Sequence, residues 1–99
     1  MNVRTKSLII LPEVKREVKA RDGGRCVYCY NPGLSNAHFI ARSQGGLGVE
    51  RNILTLCPAC HARFDQSEHR SEMREYFARY LKSCYSDWSE DALAYRKRD

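Results

Sequence analysis

The chain has 99 residues, 17 Lys+Arg against 12 Asp+Glu and a formal charge of +5, which suits one small domain with a thin core that a structural metal would help to hold. The balance is mildly basic, so it permits nucleic-acid binding and excludes a histone-like polycation. No apolar run reaches the roughly 18–20 residues of a membrane span, and "LIIL" (8–11) is too short for a signal-peptide core; the chain is expected to stay in the cytoplasm, where cysteines are thiols or metal ligands rather than disulfides.

In chain order, "LPEVKREVKARDGGR" (11–25) predicts a helix: Pro12 suits its first position, Val14 and Val18 stand four apart, and Gly23 and Gly24 stop it. "CVYC" (26–29) predicts a tight knuckle, and "NAHFIA" (36–41) and "NILTLC" (52–57) predict short strands joined by a glycine-bearing loop. Pro58 opens a helix carrying Cys60, His61 and Asp65. His69 reads as a linker residue. From there to Tyr85, Met73, Tyr76, Phe77, Tyr80, Leu81 and Cys84 recur at helical spacing as a packing stripe. A last short helix is predicted near Asp87, which has capping-box spacing to Glu90, and the tail "RKRD" is expected to fray. The expectation is one domain over 1–99, with a core at 26–65 and a helical extension at 69–97.

Two CxxC pairs, Cys26/Cys29 and Cys57/Cys60, are a strong signal for structural Zn²⁺, because each turn presents two thiolates and two turns complete a tetrahedron. The interval 30–56 exceeds the roughly 15–20 residues of a plain finger, so a strand–loop–strand is inserted between the knuckles. Cys84 is left over and reads as a small hydrophobe on the apolar stripe. Four cysteines satisfy one zinc, and on a helix His61 points about 100° away from Cys60, so it is free for another partner.

The insert orders His38, Asn52 and His61 on a strand–loop–strand–helix frame. "AHFIARSQGGLGVERNILTLCPACH" (37–61), together with Cys26 and Cys29, resembles the HNH endonucleases, in particular the small zinc-bearing kind common in phage and prophage genomes. The resemblance implies a small α+β fold with a ββα-metal core, flanked by N- and C-terminal helices. It implies a metal-dependent DNA endonuclease leaving 5′-phosphate and 3′-hydroxyl ends, with His38 as general base, Asn52 bracing the loop and His61 as ligand of a catalytic Mg²⁺ or Mn²⁺. Many family members carry a second ligand, Asp or His, just before the base; here that position is Ala37. Asp65, one helical turn after His61, is the candidate replacement and otherwise an exposed helix charge; Asn36 is a weaker candidate. Gly45 and Gly46 would let the loop turn sharply. Arg42 and Arg51 would reach phosphate oxygens, or else be solvated loop arginines. The partner implied is DNA, duplex and read with low sequence specificity, with a homodimer through helix 69–85 or phage packaging proteins as further partners. The alternative is a silenced module that keeps the zinc fold and binds DNA or a packaging partner without cutting.

Overall fold

The computed structural model describes residues 8–94. Its elements are α1 (Pro12–Asp22), β1 (Leu34–His38), β2 (Ile53–Leu56), α2 (Pro58–Asp65) and α3 (Ser67–Cys84), with 3₁₀ turns at Arg42–Gln44, Glu50–Asn52 and Glu90–Ala92. This is a small α+β fold with a two-stranded antiparallel sheet and, among the described residues, a four-cysteine cluster, consistent with a ββα-metal core. No described helix is long and apolar enough to cross a membrane.

Local sequence accounts for most of the boundaries. Pro12 starts α1 where a missing N–H costs nothing, and Gly23 ends it in the left-handed region at φ 69°. Pro58 starts α2, and Cys57 caps it by accepting the N–H of Cys60 on its sulfur. The strands pair Leu34 with Leu56, Ala37 with Leu54 and His38 with Ile53, with an irregularity between Leu34 and Ala37. The first strand ends three residues earlier than the sequence predicts. Its continuation is taken over by a side chain: Asn52 Oδ1 accepts the N–H of Ile40, so Ile40 bonds an amide rather than a strand.

The core joins Phe39, Leu54 and Leu56 of the strand region to Phe64 of α2 and Met73, Phe77 and Leu81 of α3. Phe64 and Phe77 meet edge to face at 5.0 Å, a favoured aromatic geometry. Met73, Phe77 and Leu81 of the α3 stripe are thus buried inside the molecule, while Tyr76 stays exposed on the same helix. Two expectations change here. Cys84 is exposed, not a core hydrophobe. His69 lies within α3, with Nε2 3.3 Å from the Glu68 carboxylate.

Beyond α3 the chain folds back over the 39–51 loop. Trp88 packs edge-on against Phe39 at 5.4 Å and donates its indole N–H to the Arg51 carbonyl, while Leu47 N–H donates to Leu93 O. The capping box predicted at Asp87 is not formed. Asp87 pairs with Arg51 at 2.8 Å, and Ser89 caps the 3₁₀ turn by accepting the N–H of Asp91. The tail "RKRD" lies outside the described residues.

A buried polar knot at the end of α1 ties these layers together. The Asp22 carboxylate is fully enclosed and accepts from Arg21, from Tyr80 of α3 and from the Thr55 N–H of β2. Arg21 in turn donates to the carbonyls of Glu50 and Ile53 and to the Tyr85 hydroxyl. Burial alone would raise the Asp22 pKa, but the hydrogen bonds from Arg21, Tyr80 and Thr55 outweigh it and hold the group below its ordinary value.

Candidate active site and metal centre

Two tight turns bring the cysteines together. The sulfurs of Cys26, Cys29, Cys57 and Cys60 all lie within 4.8 Å of one another, and Cys29 and Cys57 are 3.5 Å apart. A tetrahedral zinc with bonds of ~2.3 Å spaces its sulfurs by about 3.8 Å, so the cluster fits such an ion. Each knuckle also turns a backbone N–H onto its first sulfur: Cys29 N–H onto Cys26 and Cys60 N–H onto Cys57. Burial works against a Cys26 thiolate, but the backbone N–H groups around it prevail and bring its pKa down to about 7. Burial and the neighbouring cysteines push Cys60 the other way. Four thiols so crowded cannot all ionise without a cation, which is the chemistry of a structural metal such as zinc. Among the described residues this is the one cluster of three or more such ligands.

His38 ends β1 and faces away from the buried Ala37 before it. Its Nε2 lies 3.1 Å from the Leu8 carbonyl oxygen. A carbonyl only accepts, so Nε2 carries the proton and Nδ1 keeps its lone pair. Burial is the main influence on this imidazole and lowers its pKa; the Leu8 hydrogen bond acts the other way, and electrostatic interaction with Arg42 and His61 lowers it further. These influences favour the neutral form of His38. It opens on a cleft of about 320 Å³ shared with Ile9, Ile10, Lys15, Asn36 and Arg42.

Asn52 is fully buried, and each polar atom of its side chain is used. Besides accepting from Ile40 N–H, its amide nitrogen donates to the carbonyls of Ile40 and Leu47, while its backbone carbonyl accepts from Phe39 N–H, beside His38. One side chain therefore closes both ends of the 40–47 loop. Two glycines complete the turn: Gly45 has φ 83°, and a Cβ on Gly46 would run into the Ile40 carbonyl.

His61 and Asp65 share one face of α2, with Nε2 and the carboxylate 3.9 Å apart. The pair is accessible to solvent and offers two ligands. Ala37 is buried within the apolar core, so the position just before His38 points inward. Arg42 is exposed beside His38. Arg51 pairs with Asp87 at 2.8 Å and lies over the Tyr85 ring, 4.9 Å from its centroid.

Sequence reasoning missed three contributors. The Leu8 carbonyl left no sequence signal, because any residue supplies one. Lys15 reaches the cleft by the docking of α1, which the linear order hides. Asp22 did carry a signal: a carboxylate in the last turn opposes the helix dipole, so it calls for a compensating partner.

Comparison with known proteins agrees with the motif. The chain is similar to a protein named anaredoxin from Nostoc sp. (strain PCC 7120 / SAG 25.82 / UTEX 2576), at 27% identity over 66 residues, covering 65% of this chain and 87% of that one. Residues 26–65, which carry the four cysteines, His38, Asn52, His61 and Asp65, match the HNH endonuclease family.

Proposed function

We propose that this protein is a metal-dependent DNA endonuclease of the small HNH kind. The observation that carries the reading is the placement of His38: a half-buried imidazole whose Nε2 meets the Leu8 carbonyl oxygen, opening on a cleft shared with an exposed Arg42, with its pKa lowered mainly by burial. A base of this kind takes the proton from a water attacking phosphorus. Arg42 binds a phosphate oxygen, and Asn52 holds the loop that places both. His61 and Asp65 are the residues that would hold a divalent ion, Mg²⁺ or Mn²⁺. Bound there, such an ion offsets charge on the scissile phosphate and the departing 3′-oxygen. The cysteines hold zinc as a structural staple. Duplex DNA contacted through its backbone, with low sequence specificity, is the substrate this reading favours, and a phage or prophage setting rests on resemblance alone.

The test is conversion of supercoiled plasmid to nicked circles with Mg²⁺ or Mn²⁺. His38→Ala should still bind DNA but turn over ~10²–10⁴-fold more slowly. His61→Ala should lose activity in a way that excess Mn²⁺ partly restores. A second reading has its own support, since His61 and Asp65 are two ligands and Ala37 cannot add a third. On that reading the protein is a silenced zinc module. Wild-type protein that binds plasmid and leaves it intact with either ion would establish it.

A further inference from the structure

The cleft at His38 does not stop there. A second cleft of about 380 Å³ is lined by Lys15, Arg16, Lys19, Gly33, Leu34, Ser35 and Asn36. Lys15 and Asn36 line both, so the two clefts adjoin and together make a trough between α1 and β1 with His38 at one end. Lys15 and Lys19 stand one helical turn apart, about 6 Å along the axis. Both are exposed, and the stem of Lys19 rests on Gly24 with a closest approach of 3.6 Å to a Cβ placed there. On the same helix Val18 is fully buried, and the Arg21–Asp22 knot fixes the helix end, so the lysines are held on a rigid element.

The charges in the trough are unspent. Arg21, Arg51, Arg74 and Arg79 are all engaged by carboxylates. Lys15, Arg16, Lys19 and Arg42 have no ion-pair partner among the described residues. Neither cleft is lined by a carboxylate of a described residue. A row of uncompensated cations along one groove, with an exposed amide among them, is the footprint of a polyanionic backbone.

We propose that this trough seats the sugar–phosphate backbone of duplex DNA, with Lys19 and Lys15 binding successive phosphates and delivering the strand to Arg42 and His38. Its α1 wall, with Lys15, Arg16 and Lys19, lies outside the 26–65 stretch that matches the HNH endonuclease family, while its β1 wall lies within it, and as a route to His38 the trough rests on the nuclease reading. Its contacts are to phosphate, so they place the strand without reading its sequence.

The experiment is fluorescence anisotropy of a labelled DNA duplex across a salt series without added divalent ion, for wild type and Lys15→Gln/Lys19→Gln. Arg79→Gln/Lys82→Gln serves as a control of equal charge change on α3, and an RNA hairpin is titrated in parallel. The trough variant should lose on the order of tenfold in affinity at low salt, equally for unrelated sequences, and its slope against log salt should shrink by about 2. Lys15→Arg/Lys19→Arg should keep the wild-type slope, and the α3 control should stay within about twofold. Equal losses in the two Gln pairs, no loss in the trough pair, or trough-dependent preference for RNA would overturn the assignment. Plasmid nicking on the same proteins separates the two claims. Nicking that survives the trough substitutions defeats the trough alone, whereas trough-dependent binding without nicking in wild type defeats the nuclease alone.

Discussion

His38 is where a single residue's environment matters most. Burial first, then Arg42 and His61, lower its pKa below the ordinary 6.5. A base with a lowered pKa stays unprotonated further into acid, so the acid limb of the nicking profile (log kcat/KM against pH) is expected below pH 6.5. Arg42→Gln removes one of the positive charges and should move that limb upward. A limb above 6.5 in the wild type would sink the account of His38. The same shift has a stability consequence of fixed sign. The unfolded chain takes up this proton first as pH falls, so stability is full above 6.5 and declines from there toward the folded pKa. The order His38, Asn52, His61 was legible in the sequence, and the roles proposed for them come from the resemblance to the HNH endonucleases. The proton's position on His38 was not, because it depends on a carbonyl thirty positions away in sequence.

At the scale of elements, what holds α1 against β2 and α3 is Asp22. Its carboxylate is enclosed with Arg21, and removing one partner of a buried pair strands the other. Asp22→Ala should cost about 3–5 kcal/mol of unfolding free energy in urea. Tyr80→Phe removes one of the donors to Asp22 and should cost about 1 kcal/mol. An Asp22→Ala protein as stable as wild type would show the knot to be incidental. The helices themselves were legible because Pro12, Gly23 and Pro58 are local stop and start signals acting within one turn. The end of β1 was not, since Asn52 captures Ile40 from across the loop and replaces strand pairing with a side-chain amide.

For the whole molecule the four cysteines are the main staple. They join the knuckle at 26–29 to the start of α2, and Cys57 also caps that helix. Metal binding of this kind is folding free energy, on the order of 10 kcal/mol or more in zinc-dependent modules. Protein purified without added metal should carry one zinc per chain by elemental analysis. Stripping it, or making Cys57→Ser, should abolish the cooperative thermal transition in circular dichroism. A sharp, unshifted transition in zinc-free protein would mean that the apolar core around Phe39, Phe64 and Phe77 suffices alone.

The sequence by itself determined the metal cluster, the helix starts and the His–Asn–His order, because each depends on residue chemistry at fixed short spacing. The tertiary structure alone decided how charges and apolar groups were used. It buried Met73, Phe77 and Leu81 of α3 in the core, paired Arg51 with Asp87 and Tyr85, exposed Tyr76 and Cys84, and brought Lys15 to the cleft at His38. Those outcomes arise from packing between segments far apart in the chain, where burial and ion pairing depend on which surfaces meet.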